Sequence, residues 1–179
     1  MDKDPFEEYL REKEPDQAER GYAWSIAIGL QAVDGLKPSQ YLVDTAIQNI
    51  AGEITIKEAQ NLIETYYNEK PSHKSNDNRA EEADKVSSRI VEILSEKAFS
   101  FSPNEYIAIH RRLFQGIYDH AGKIRDYNIT KKEWVLDGDT VTYGNALELR
   151  NTLEYDFAQE KAFSYKGLTM DEVIHHLAL

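Results

Sequence analysis

The chain has 179 residues, 41% of them hydrophobic, and a formal net charge of −11 with a pI near 4.9. That acidic balance argues against sequence-independent nucleic-acid binding, which needs basic patches to neutralise phosphates. The absence of cysteine excludes disulfides, thiolate zinc sites and cysteine nucleophiles.

The opening "MDKDPFEEYLREKE" is charged from its second residue, unlike a secretory signal. The most apolar early stretch, "AWSIAIGLQAV", falls well short of the roughly 20 residues that cross a bilayer. A cytoplasmic protein with no membrane and no nucleic-acid partner is expected.

Helix signals dominate the rest of the chain. Ser39 caps "SQYLVDTAIQNI", which Gly52 ends, and "TIKE" (Thr55 to Glu58) is a capping box for the next helix. The polar run "EKPSHKSNDNR" reads as a linker or exposed loop. Beyond it, Ala83, Val86, Ile90, Ile93 and Leu94 keep helical spacing. "SPNE" at Ser102 to Glu105 opens a helix whose Tyr106, Ile109, Leu113, Phe114 and Ile117 make one apolar face, with Pro103 at the favoured first position. "NALE" at Asn145 to Glu148 starts another, carrying Leu149, Leu153 and Phe157. "TMDEVIHHLAL" begins with a Thr169–Glu172 capping box. One segment departs from this pattern. "EWVLDGDTVTY" sets Asp137-Gly138 between two runs rich in Val, Thr, Trp and Tyr, a strong hairpin signal. The expected fold class is therefore all-α with one β-hairpin, whose open edges could align an extended segment of a partner.

Chemistry is not visible from spacing alone. His73, His110, His120, His175 and His176 lack metal-ligand spacing, and His110 and His120, ten apart on one predicted helix, are not expected to share a face. No metal site is assigned. No nucleophile elbow, phosphate loop or dinucleotide fingerprint occurs.

The stretch "IHRRLFQGIYDHAGKIRDYNITKKEW" resembles the Fic family, in which a helix H-x-x-L-F-x-x-x-Y-x-x-A-G-x-x-R runs into N-I-x-K and a β-hairpin flap. His110, Leu113, Phe114, Tyr118, Ala121, Gly122, Arg125, Asn128, Ile129 and Lys131 stand at its positions. The resemblance covers about residues 80 to 179. It implies a protein adenylyltransferase that moves AMP from ATP, with Mg²⁺, onto a hydroxyl of a target protein. The family's catalytic segment is H-P-F-x-[DE]-G-N-G-R, whose His is the general base. In the family it follows a helix like the one opened by Thr169. No such segment occurs in the 179 residues. The expectation is thus a fragment or shortened chain with no catalytic residue or metal ligand of its own, inactive by itself and without tight binding of ATP or Mg²⁺. By the same resemblance Thr130, Lys131, Lys132, Glu133, Trp134 and Val135 would dock the target, and Lys131 and Lys132 would meet nucleotide oxygens.

Residues 17 to 66 resemble the small helical antitoxin module that inhibits Fic enzymes through [ST]-x-x-x-E-[GN]. Here "LQAVDG" places Asp34 where the inhibitory Glu stands and matches Gly35. Two parts are expected: a three-helix antitoxin-like module over residues 1–70, and the first part of a Fic core over residues 80–179. The alternative is a non-catalytic module that binds a target through the hairpin edge or docks on a complete Fic core.

Overall fold

A computed structural model describes residues 15–69, 75–96, 99–132 and 140–178. Among them are seven helices and one two-stranded antiparallel hairpin: α1 (Pro15–Val33), α2 (Gln40–Ala51), α3 (Ile56–Glu69), α4 (Ser75–Ser95), α5 (Pro103–Phe114), β1 (Thr130–Lys132), β2 (Thr140–Thr142), α6 (Leu149–Ala162) and α7 (Met170–Leu177). The fold is all-α with one hairpin. The chain divides into two compact units, one of residues 1–99 and 108–122, the other of residues 100–107 and 123–179. None of the described helices is long and apolar enough to cross a membrane.

In the first unit the caps are those the sequence spells out. Ser39 is the extended N-cap of α2 and its hydroxyl accepts the Leu42 N–H at 3.1 Å. Gly52 ends α2 at φ +80, a conformation that glycine enters without a Cβ penalty. Thr55 and Glu58 exchange the reciprocal bonds of a capping box at the start of α3. α1 packs on α2 and α4, and α3 on α2 and α4. Between them lies a core of Trp24, Ala27, Leu42, Ala46, Ile50, Ile63, Tyr67 and Val91.

α4 departs from a simple amphipathic helix. Residues 83–88 are buried without interruption, including Asp84, Lys85, Ser87 and Ser88. Two of the polar members carry charge and both are paired: Asp84 to Ser39 and Tyr67, and Lys85 to Glu64 at 2.9 Å and Glu81 at 2.8 Å. α4 also begins at Ser75, inside the run that reads as a loop. Ser, Asn and Asp disfavour a helix interior because they compete for backbone bonds, yet the first turn leaves backbone N–H groups free and accepts them.

The second unit has a different character. α7 opens with the expected capping box, Thr169 with Glu172. α6 starts at Leu149, four residues after Asn145. The Asn145 side chain caps only a local turn at Leu147 N–H (3.0 Å), and the Ala146 N–H is taken by Asn128 Oδ1 at 2.8 Å. Phe101 and Tyr106 meet Phe157 with ring centroids at 4.6 and 6.1 Å. No described side chain of this unit is buried.

The hairpin pairs Thr130 with Thr142, Lys131 with Val141 and Lys132 with Thr140. A two-residue turn on Asp137-Gly138 would instead pair Lys132 with Tyr143, so the register is shifted by three residues from that expectation. Turn type and loop length set hairpin register, and the described pairing is not the one that a two-residue Asp137-Gly138 turn sets. The Asp137-Gly138 turn and the expected docking residues Glu133, Trp134 and Val135 lie outside the described residues, as does His73.

Candidate functional site

Four rings gather along the stretch from His110 to Gly122. His110 lies 5.0 Å from Phe114 and 6.0 Å from His120, Phe114 lies 5.6 Å from Tyr118, and Tyr118 stacks on His120 at 5.1 Å. The apolar spacing predicts a helix running on to Ile117, which would keep the two histidines apart. Instead α5 stops at Phe114 and Gly116 turns the chain at φ +76. The Arg89 guanidinium holds that stop, donating to Leu113 O at 2.7 Å and Gln115 O at 2.9 Å, carbonyls that a helix end leaves unsatisfied. His120 is thereby brought back beside His110.

His110 Nδ1 accepts the Gly122 N–H at 2.8 Å. The neutral ring therefore carries its proton on Nε2 and offers a donor there, not a metal-binding lone pair. Among the described residues no group of three or more His, Asp or Glu comes together as a metal site. Burial, and then the charge of His120, hold His110 below the usual imidazole range. A lowered folded-state value means that the unfolded chain binds the proton first. The stabilisation is then complete above the ordinary value near 6.5 and is lost as pH falls through the lower folded value. Denaturation midpoints at pH 7.5, 6 and 5 should fall on acidification. His110→Asn, which keeps an acceptor for Gly122, should remove part of that fall.

Gly122 itself cannot carry a side chain. Its φ is +70, and a Cβ would lie 2.5 Å from Arg111 Cβ, an atom close to the backbone that cannot swing away. Gly122→Ala should cost about 2–3 kcal/mol, from left-handed strain plus this clash. Urea unfolding of the variant measures it.

At Asp34-Gly35 the chain leaves α1 through a Schellman turn. Gly35 sits at φ +67, its N–H donates to Ala32 O at 3.0 Å, and Leu36 N–H donates to Gln31 O at 3.0 Å. The turn's carbonyls are met by α4, where Arg79 Nη2 donates to Asp34 O at 3.2 Å and Gly35 O at 3.5 Å. This cation answers the negative end of α1. One helical turn along α4, Glu82 Oε1 accepts the Tyr118 hydroxyl at 2.7 Å. Burial first, then that carboxylate, push the Tyr118 hydroxyl up to about 12. Asp34 and the helix-signature tyrosine thus share a neighbourhood through α4.

No family model, curated protein or solved structure matches the chain.

In the second unit, two signature residues brace the base of the ribbon. Arg125 Nη1 donates to Tyr127 O at 2.6 Å and Nη2 donates to Gly144 O, while Asn128 Oδ1 takes the Ala146 N–H. The segment entering β1 is thereby tied to the segment leaving β2. Thr130, Lys131 and Lys132 are exposed, with successive side chains on opposite faces of the ribbon. Arg79, Glu82 and Arg89 have no sequence signal of their own. Each lies on α4 among charged residues that periodicity assigns to solvent, and only the carbonyl or hydroxyl each one meets gives it a role.

Proposed function

We propose that the chain is the N-terminal portion of a cytoplasmic Fic-type protein adenylyltransferase, which transfers AMP from ATP to a hydroxyl side chain of a target protein and is restrained by its own first helices. The supporting observation is the ordered signature from His110 to Lys131, in which Arg125 and Asn128 tie the base of a ribbon whose first strand is exposed. The backbone of Thr130–Lys132 suits strand addition to an extended target segment. Lys131 and Lys132 suit phosphate or sugar oxygens. Asp34, on the turn after α1, is the candidate regulatory carboxylate, with Gly35 supplying the turn.

Mg²⁺ and ATP supply the activated AMP in such an enzyme. The described residues do not fit that pair by themselves, since no metal-ligand cluster forms among them and the 179 residues contain no H-P-F-x-[DE]-G-N-G-R. No step of the transfer is assigned to them. Their part is docking, positioning and restraint.

Labelled ATP, Mg²⁺ and cell lysate test the reading when incubated with the longest open reading frame that contains this chain. A labelled target, or labelling of the protein itself, is expected. No label in any protein overturns it. The open ribbon edges also favour a non-catalytic reading, in which the chain docks on a target or on a complete Fic core. Calorimetry of the 179-residue chain tests what both readings share, because micromolar Mg·ATP affinity would contradict a chain without a phosphate cradle.

A further inference from the structure

We infer that Arg79 and Glu82 form a clasp on α4 that fixes the Asp34-Gly35 turn and the Tyr118 segment in one arrangement, making Arg79 a positioning residue for the candidate regulatory carboxylate. The regulatory meaning of the clasp rests on the function proposed above, whereas its existence does not.

The two arms are adjacent by helical geometry, since residues three apart on a helix lie on the same face. Arg79 reaches back to α1 and holds two consecutive carbonyls, Asp34 O and Gly35 O. Both bonds leave one nitrogen, Nη2, so the two carbonyls share a single cationic donor that a lysine ammonium can replace. Glu82 reaches to the opposite partner and holds the Tyr118 hydroxyl at 2.7 Å. Tyr118 is in turn stacked on His120, which lies beside His110, so the second arm grips the whole ring cluster. Electrostatics agree with the proximity, because Arg79 and Asp34 both bear on the Tyr118 hydroxyl, with opposite signs.

Both arms spring from the turns of α4 that precede its buried stretch of residues 83–88, so each contact helps to pin the same end of the helix. Loosening one arm lets those turns fray and weakens what the other arm holds. The backbone of the Asp34-Gly35 turn is then held in one arrangement only while both arms are closed. Opening either one releases the turn.

Amide hydrogen exchange of the 179-residue chain reads this directly at Gly35 and Leu36, whose N–H groups close the turn. Arg79→Gln should accelerate exchange there about tenfold, while Arg79→Lys should keep it within about threefold of the parent. Tyr118→Phe and Glu82→Ala touch neither amide, yet each should accelerate both by about threefold or more. The amide of Ile50, in the core, should be unchanged in all four variants, which separates release of the turn from global unfolding. If Arg79→Gln leaves Gly35 and Leu36 unaffected, the first arm does not exist. If Arg79→Gln accelerates them but Tyr118→Phe and Glu82→Ala do not, the two contacts are independent and the clasp is refuted. Absence of adenylyl transfer in the longer reading frame would overturn the proposed function and leave these exchange results standing.

Discussion

Replacing Asp84 with alanine should cost about 3 kcal/mol or more, a large share of what a domain of this size has to lose. The carboxylate is fully buried and answers three donors: the Ser39 N–H at 2.9 Å, the Ser39 hydroxyl at 2.5 Å and the Tyr67 hydroxyl at 2.7 Å. Burial first, and the Asp84 carboxylate next, push the Tyr67 hydroxyl well above its ordinary range, which favours its protonated, donating form. Alanine would take the carboxylate from the Tyr67 hydroxyl and from the Ser39 amide and hydroxyl, at about 1–3 kcal/mol for a buried donor left unpaired. Tyr67→Phe removes only one donor and should cost about 1–2 kcal/mol, with the double variant below the sum because the partners are shared. Guanidinium denaturation followed by circular dichroism measures all three. The α2 amides next to Ser39 should show the largest loss of exchange protection in the alanine variant, because Asp84 anchors that helix start from α4.

Trp24→Ala should be as severe, at about 3–5 kcal/mol for the lost contacts and the cavity left behind. Trp24 is fully buried in the core cluster of the first unit, and its Nε1–H donates to Asn49 Oδ1 at 3.0 Å. Asn49 passes the tie onward, with Nδ2 donating to Ile54 O at 2.9 Å in the connection to α3. One indole therefore secures α1, the end of α2 and the next connection. Trp24→Phe keeps much of the volume but orphans the Asn49 oxygen, and about 1–3 kcal/mol should be lost. A Trp24→Phe, Asn49→Ala double variant should fall short of the additive total.

The parts of this fold that could be read in the sequence are those written in local chemistry. Ser39, Gly52, Thr55 with Glu58, and Thr169 with Glu172 cap helices as their residue types dictate, and the strand-forming runs flag a ribbon in an otherwise helical chain. Features set by distant partners could not be read. Asp84 sits in the core because Ser39 and Tyr67 meet it there, whereas a periodicity scan places a carboxylate in solvent. The end of α5 depends on Arg89, more than twenty residues upstream, and the pairing of His110 with His120 follows from that stop. The ribbon register, with Lys132 opposite Thr140, is not the one that Asp137-Gly138 suggests. For the candidate site, Asp34, Gly35, Tyr118, Arg125 and Asn128 stand out by motif, while Arg79 and Glu82 emerge only from what they touch.

The second unit, with none of its described side chains buried, has a calorimetric consequence. The heat-capacity increment of melting scales with apolar area newly exposed to water, so the larger share of it should originate in the first unit. A scan of this chain should therefore show one cooperative endotherm smaller than its length alone would give. The helices after the ribbon should lose ellipticity gradually before that peak, without a latent heat of their own.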